Sequence, residues 1–360
     1  MVRPTYAEID LGAIAHNVRA LRGLIAPSEV CAVVKADGYG HGDAPVASTA
    51  VDAGATRLAV ALVEEGVRLR EAGIDAPILL LSEPSHDNVS DLVKWNLTPT
   101  AYSVGFIEAL GTAGANLGVH LKIDTGMHRV GAAPRSVHDL MGAVNALPNL
   151  SVEALWTHFA VADEDSDFTR HQIEVFDETV ASVEEIPLVH LANTAGAVHF
   201  PDARRDLCRI GLGIYGLHPN TESRDVITLR PAMRLVTHVS HVQRLEAGAR
   251  PSYGRIKELA ADSSVATAPV GYADGFARGL SQYGCALIGG HRFPLAGNVT
   301  MDQVVINVGD AEVGVGDEVT LLGGQGDEFI SADEWAEELG TISYEVVCSI
   351  GPRVPRRYLR

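Results

Sequence analysis

Residues 32–42 read AVVKADGYGHG. The apolar run 30–34 leads into Lys35, and Asp37, Gly38, Tyr39, Gly40, His41 and Gly42 follow at once. Such a run reads as a buried strand and the glycines as a tight βα turn. That places a lysine at the carboxyl end of a strand, where α/β folds gather their chemistry. A lysine desolvated there loses basicity and becomes a nucleophile able to form a Schiff base. The same lysine could instead cap a strand end and snorkel to water, and the pattern alone leaves both readings open.

Outward from this point the chain alternates. Strand patterns at 30–34, 57–61, 77–81, 97–102, 119–124, 150–158, 188–192 and 207–215 are each followed by a helical or short helical pattern. Eight such alternations suit a (β/α)8, TIM-like barrel, with a doubly wound sheet as the alternative because alternation does not tell closed from open. Before them lie a short strand pattern at 6–10 and a helical one at 11–24. Near residue 228 the texture changes to β-branched alternation with Gly-rich turns, as in VATAPVGYADG, MDQVVINVG and DEVTLLGG. One helix, 332–339, interrupts it, with Ser331 and Glu334 spaced as a capping box. The expected fold class is α/β: a barrel over 1–228, then a mainly β domain over 229–360.

Length and charge narrow the field. A chain of 360 residues with 46% hydrophobic content makes one or two domains with a large core. A formal net charge of −18 argues against nucleic acid and anionic membrane as partners. Cys31, Cys208, Cys285 and Cys348 are scattered with no metal spacing, which suits reduced thiols in a cytoplasmic protein and no metal. No apolar run approaches a membrane span. Lysine is scarce: Lys35, Lys94, Lys122 and Lys257 are the four among 28 basic residues.

Two strands carry charge where a barrel expects apolar side chains. In HLKIDTGMHRVG, alternation puts His120, Lys122 and Asp124 on one face and Val119, Leu121 and Ile123 on the other. Lys122 then points inward, where a cation needs a partner or must lose its charge. Arg129 falls in the following loop. In LCRIGLGIYG, Arg209 shares a face with Leu207 and Gly211, and a buried arginine needs acceptors.

The motifs around Lys35, Lys122, Arg209, SYG at Tyr253 and NVTMDQ at Met301 resemble, in order and over nearly the whole chain, those of the alanine racemase family, which depends on pyridoxal 5'-phosphate (PLP). The resemblance implies that Lys35 carries the cofactor and serves as one catalytic base. Tyr253, in the β domain, implies a second base lent to a neighbouring subunit in a homodimer with shared sites. Arg209 would meet the pyridine nitrogen and keep it unprotonated. Tyr39, Thr194, Gly211 and Leu212 match the phosphate cup, Thr194 also reading as a helix N-cap. His158 would bridge Arg209 and the tyrosine. Arg129, Tyr272, Met301 and Asp302 match residues at the substrate, and Lys122 matches a lysine that is often carbamylated. Pro352 departs from the pattern, since many relatives have a phosphate-touching tyrosine there. The implied reaction is interconversion of L- and D-alanine for peptidoglycan. The rivals are a racemase of another amino acid, a PLP-dependent decarboxylase of the same fold, and a non-catalytic PLP-binding barrel.

Overall fold

The structure is a computed structural model that describes residues 3–183 and 186–360. The chain divides into two compact units. One comprises Ala13–Gly38 and Gly42–Arg230; the other comprises the described residues up to Gly12, the short piece Tyr39–His41, and Pro231–Arg360.

β1 (Tyr6–Asp10) belongs to the second unit, and the barrel strands follow it: β2 (Glu29–Val33), β3 (Arg57–Val60), β4 (Ile78–Leu80), β5 (Thr100–Ala101), β6 (Leu117–Lys122), β7 (Leu150–Trp156), β8 (Leu188–His190) and β9 (Leu207–Ile210). They form two all-parallel arcs, ordered β4-β3-β2-β9 and β5-β6-β7-β8. A parallel bridge from Leu79 to Thr98 joins the arcs on one side. On the other, Arg209 N–H donates to the Ala192 carbonyl at 2.9 Å and Asp206 N–H to that of Val189 at 3.2 Å. The ring is therefore closed, and the doubly wound alternative is excluded.

Short strands suffice because helices cover the outer face. The helix Leu11–Ile25 turns Ile14, Val18, Leu21 and Ile25 inward, all fully buried. Those spacings are the stripe that a 3.6-residue turn aligns on one face. The interior is less usual. Barrel interiors are normally filled by branched aliphatic residues. This one holds His120, Lys122, Trp156, His190 and Arg209, each no more than 3% exposed. A fold that places such groups at its centre is using them.

In the second unit, β10 (Met233–His238), β11 (His241–Leu245), β12 (Ser263–Ala268), β13 (Cys285–Ile288), β14 (His291–Pro294), β15 (Val304–Gly309), β16 (Glu318–Gln325), β17 (Glu328–Ile330) and β18 (Arg356–Leu359) form two sheets. The larger runs β14-β13-β16-β10-β1-β18, with β17 beside β16; the smaller is β11-β12-β15. β1 is antiparallel to β10 and parallel to β18. Two helices, not one, close this unit: Ala332–Leu339 and Ser343–Cys348. Ser331 caps the first by accepting from Glu334 N–H at 3.0 Å, but the Glu334 carboxylate turns to Arg292, so no reciprocal box forms. Among the described residues, no helix is long and apolar enough to cross a membrane.

Candidate active site

Arg209 organises the barrel interior. Its Nη1 donates to His190 Nδ1 at 2.8 Å, and its Nη2 to the carbonyls of Thr157 and Leu191 at 2.8 Å and to His158 Nδ1 at 3.1 Å. The guanidinium also lies 4.5 Å from the Trp156 ring centre. Acceptors and an aromatic face are what a buried guanidinium requires. Among the described residues nothing accepts from its Nε, which is buried. Burial lowers the Arg209 pKa to about 10. Burial first, then Arg209, hold His158 and His190 well below the ordinary imidazole value. Both rings are held in the neutral form, and each turns Nδ1 toward Arg209.

Lys35 follows β2 and is half-buried. Ala36, Asp37, Gly38, Tyr39 and Gly40 then all have φ between +51° and +79°, so the backbone makes a left-handed turn directly after the lysine. Each non-glycine residue held so costs roughly 1–2 kcal/mol. The Glu65 side chain offsets that cost. It is buried and accepts Ala36 N–H at 2.7 Å with one oxygen, and Ala61 and Leu62 N–H at 2.8 and 3.1 Å with the other. Gly38 N–H returns to the Val34 carbonyl at 3.0 Å, and Gly42 N–H to that of Asp37 at 2.7 Å. The lysine thus leaves its strand on a tightly determined backbone.

Lys122 ends β6 over the Trp156 ring, 4.3 Å from its centre, and makes only a 3.4 Å contact to the Leu81 carbonyl. Burial, then the charges of Arg209 and Arg129, push it down to about 7. Arg129 is exposed on a loop shaped by Asp124, which accepts the N–H groups of Gly126 and His128 at 3.0 Å each. Arg129, Lys122, Arg209 and Lys35 lie close enough for their charges to bear on His158. This end of the barrel therefore concentrates positive charge and suits an anionic ligand.

Three of the residues expected to hold phosphate, Thr194, Gly211 and Leu212, lie on a helix that contacts β9 or directly after β9 itself. Thr194 is buried and opens the helix Thr194–His199, but its N-cap is Asn193, whose side chain accepts Gly196 N–H at 2.9 Å. Thr194 Oγ1 instead faces Gly213 N–H at 3.4 Å. Gly211 and Leu212 start the 3-10 turn Leu212–Tyr215. The first N–H groups of such a turn have no partner within it and favour an anion.

The second unit gathers the other expected residues. Tyr253 is 76% exposed on a loop with positive φ at Ser252, Gly254 and Arg255. Asn298 pins that loop: its Nδ2 donates to the Tyr253 carbonyl at 2.7 Å, and Ser252 Oγ donates to the Asn298 carbonyl at 2.6 Å. Tyr272 N–H donates to the Thr300 carbonyl at 3.0 Å, and Ala273 N–H to that of Met301 at 3.2 Å. Arg353 holds the exposed Asp302 at 2.7 Å. Tyr253, Tyr272, Met301 and Asp302 therefore stand on one braced group of loops. Tyr39 is buried in this unit beside Tyr344, and burial raises its phenol above the ordinary value. Neighbouring Gly40 has no room for a side chain: a Cβ there would meet the Val347 carbonyl oxygen at 2.4 Å.

Sequence reasoning did not single out Glu65, Glu153, Trp156 or His190 as functional. A signal existed for the last two, since each lies in a barrel strand on the face that carries charge elsewhere. Glu65 and Glu153 gave none, because each acts through tertiary contacts.

Fold and site together define a cofactor-binding (β/α)8 barrel joined to a β unit, with an amine at one strand end and a buried guanidinium at another. The N-terminal domain family of alanine racemase matches residues 9–219 and its C-terminal domain family residues 232–358. The chain belongs to the alanine racemase family. It is 43% identical to an alanine racemase of Desulforamulus reducens, over 100% of both chains. It is 44% identical to that of Symbiobacterium thermophilum, over 99% of this chain and 97% of the relative. Among solved structures, alanine racemase from E. faecalis superposes with a TM-score of 0.95 at 38% identity, covering 99% of this chain and 98% of the other. A histidine racemase from Leuconostoc mesenteroides shares the fold with a TM-score of 0.92 at 29% identity, covering 100% and 99%.

The family depends on PLP, and the residues present fit that cofactor. Lys35 offers the amine, the orphaned Arg209 Nε a donor for the ring nitrogen, and the turn after Gly211 its N–H groups for the phosphate.

Proposed function

We propose that this protein racemises alanine with PLP, using Lys35 and Tyr253 as opposed bases. The observation that carries the reading is Arg209: a fully buried cation with every other nitrogen committed and Nε left over for a ring nitrogen. An arginine gives up its proton too reluctantly to protonate a pyridine. PLP, when bound, supplies the stabilisation of negative charge at the substrate Cα. The chain supplies position and proton transfer. Lys35 moves the proton on the D face, and Tyr253 of a second copy moves it on the L face. Two bases are needed because the proton must leave one face and return to the other. Arg129, with the Met301 N–H of that second copy, holds the substrate carboxylate, and Tyr272 and Asp302 of the same second copy stand at the entrance. His158, Tyr39, Thr194, Gly211 and Leu212 complete the cofactor site. Pro352 provides no hydroxyl, so the phosphate has one contact fewer.

A homodimer with shared sites follows from this assignment, and the exposure of Tyr253 on a braced loop supports it. Residues 1–228, the barrel together with the opening strand β1 that belongs to the other unit, are assigned cofactor binding and residues 229–360 the second base. A cytoplasmic place and supply of D-alanine to peptidoglycan complete the reading. Lys122 is assigned as carbamylated: an amine with its pKa near 7 is substantially neutral at neutral pH and nucleophilic toward CO2, and Arg129 would meet the new carboxylate. An intact mass of native protein without the added carbamate would refute that assignment.

The deciding experiment is deuterium exchange at Cα of L- and D-alanine in the parent, Lys35→Ala and Tyr253→Phe proteins. Each variant is expected to lose exchange of one enantiomer preferentially. Retention of both rates in either variant would overturn the two-base assignment. Faster racemisation of histidine than of alanine would replace the substrate.

A further inference from the structure

We propose that Glu153 is a positioning residue for the reaction: through His120 and His190 it dictates which imidazole nitrogens carry protons, and so keeps an acceptor facing Arg209. The inference rests on the racemase reading only for its activity measurement.

Three independent features bring the Glu153 carboxylate to His120. First, β6 and β7 slip register, pairing Val119 with Val152 but His120 with Ala154, so Glu153 is the extra residue of a bulge. A bulge bends its strand and re-aims the side chain it carries. Second, the side chain crosses Gly118, where a Cβ would stand 2.4 Å from Glu153 Oε2 and 3.2 Å from its Cβ. Third, Arg57 Nη1 fixes Oε1 at 2.7 Å. That oxygen lies 3.6 Å from His120 Nε2, which has no hydrogen-bond partner. This is long for a hydrogen bond, but it is a charge facing the ring edge. The chain continues from His120 Nδ1 to His190 Nε2 at 3.0 Å and from His190 Nδ1 to Arg209 Nη1 at 2.8 Å.

The two ends set one direction. Arginine only donates and a carboxylate only accepts. His190 Nδ1 must therefore be bare and its Nε2 protonated. His120 Nδ1 must be bare in turn, and its Nε2–H faces Glu153. Burial first, with the Arg209 and Arg57 charges, holds both rings neutral, and Glu153 partly opposes this at His120. The Glu153 carboxyl is held down at about 2, by His120 and then Arg57. A glutamine would keep its oxygen on Arg57 and so still face His120 Nε2 with an acceptor, whereas a lysine can only donate, repelling Arg57 and donating into His120 Nε2. Every proton would then shift to the opposite nitrogen, and His190 Nδ1–H would oppose Arg209 Nη1–H across 2.8 Å. Arg209 would have to turn, carrying with it the Nε assigned to the cofactor ring.

The test is nitrogen NMR of the holoenzyme with 15N-labelled histidine, beside the absorbance of bound PLP and steady-state kinetics. In the parent, His120 and His190 are both expected as Nε2–H tautomers. Glu153→Lys is expected to invert or mix them, shift the cofactor absorbance, and lower kcat about 10- to 100-fold, the usual cost of losing an outer-shell partner, with KM for alanine little changed. Gly118→Ala, which displaces the carboxylate without altering it, is expected to do the same. An Nδ1–H tautomer at His190 in the parent would overturn the proposal whether or not either variant folds. Parent-like tautomers and absorbance in folded Glu153→Lys would also overturn it. If the parent does not racemise alanine, the proposed function fails while the tautomer result still decides this inference.

Discussion

Replacing Glu65 with glutamine tests whether the left-handed turn after Lys35 is held by a carboxylate. Both oxygens are committed, one to Ala36 N–H and the other to the N–H groups of Ala61 and Leu62. Glutamine keeps one acceptor and substitutes a donor for the other. The oxygen is expected to stay with Ala61 and Leu62, because it caps a helix there and meets two donors. The amide NH2 would then oppose Ala36 N–H. Loss of that bond with a donor left facing a donor costs about 1–3 kcal/mol. Ala36 and Asp37, each held at φ +53°, are then free to leave the left-handed region. Relaxation recovers part of their strain of roughly 1–2 kcal/mol apiece, so the net loss is about 1–2 kcal/mol. The larger consequence is geometric, since Lys35 no longer leaves its strand at a fixed angle. Urea unfolding of the apoprotein reads the stability change, and borohydride fixation of PLP to Lys35 reads the geometry. A variant with the parent's unfolding midpoint and the parent's fixation rate would refute the reasoning.

Other outcomes follow from the same interior. In protein kept free of CO2, the folded value of Lys122 near 7 lies below its ordinary 10.5. The unfolded chain therefore binds the extra proton between those values, and stability rises with pH across that window. Lys122→Met should flatten the rise, and unfolding midpoints from about pH 7 to 10.5 would read it. Arg209→Lys strands the carbonyls of Thr157 and Leu191 and two imidazole nitrogens, and should cost about 2–4 kcal/mol of apoprotein stability in the same assay. Gly271→Ala would set a Cβ 2.2 Å from the Thr300 carbonyl oxygen and 2.4 Å from that of Met301. It should raise KM for alanine about tenfold or more by displacing the Met301 loop, while PLP binding, followed by absorbance, stays unchanged.

The barrel was legible because each strand is a compact apolar run and each helix carries its own stripe. Lys35 and Arg209 were legible for the opposite reason, as charges placed where the pattern demands hydrocarbon. What escaped is non-local. β1 reads as an ordinary opening strand, yet its partners are β10 and β18, far away in sequence. The polarity of Thr194 marked a helix start, but Asn193 is better placed to accept Gly196 N–H. Ala36 has no intrinsic preference for positive φ and adopts it because Glu65, from another βα unit, takes its N–H. Glu153 defeats strand alternation outright, because one slipped residue between β6 and β7 changes where it points.

The pairing of β1 with both β10 and β18 sets an order of assembly. On the ribosome β1 emerges before β2 to β17, and the last of its neighbours, β18, emerges after them. A barrel built from sequential βα units can close while synthesis continues, since domains generally form from the N-terminal side. The opening strand must meanwhile wait with its edges unsatisfied. Exposed strand edges invite adventitious pairing, so nascent chains stalled between β9 and β18 should be the species most in need of a chaperone.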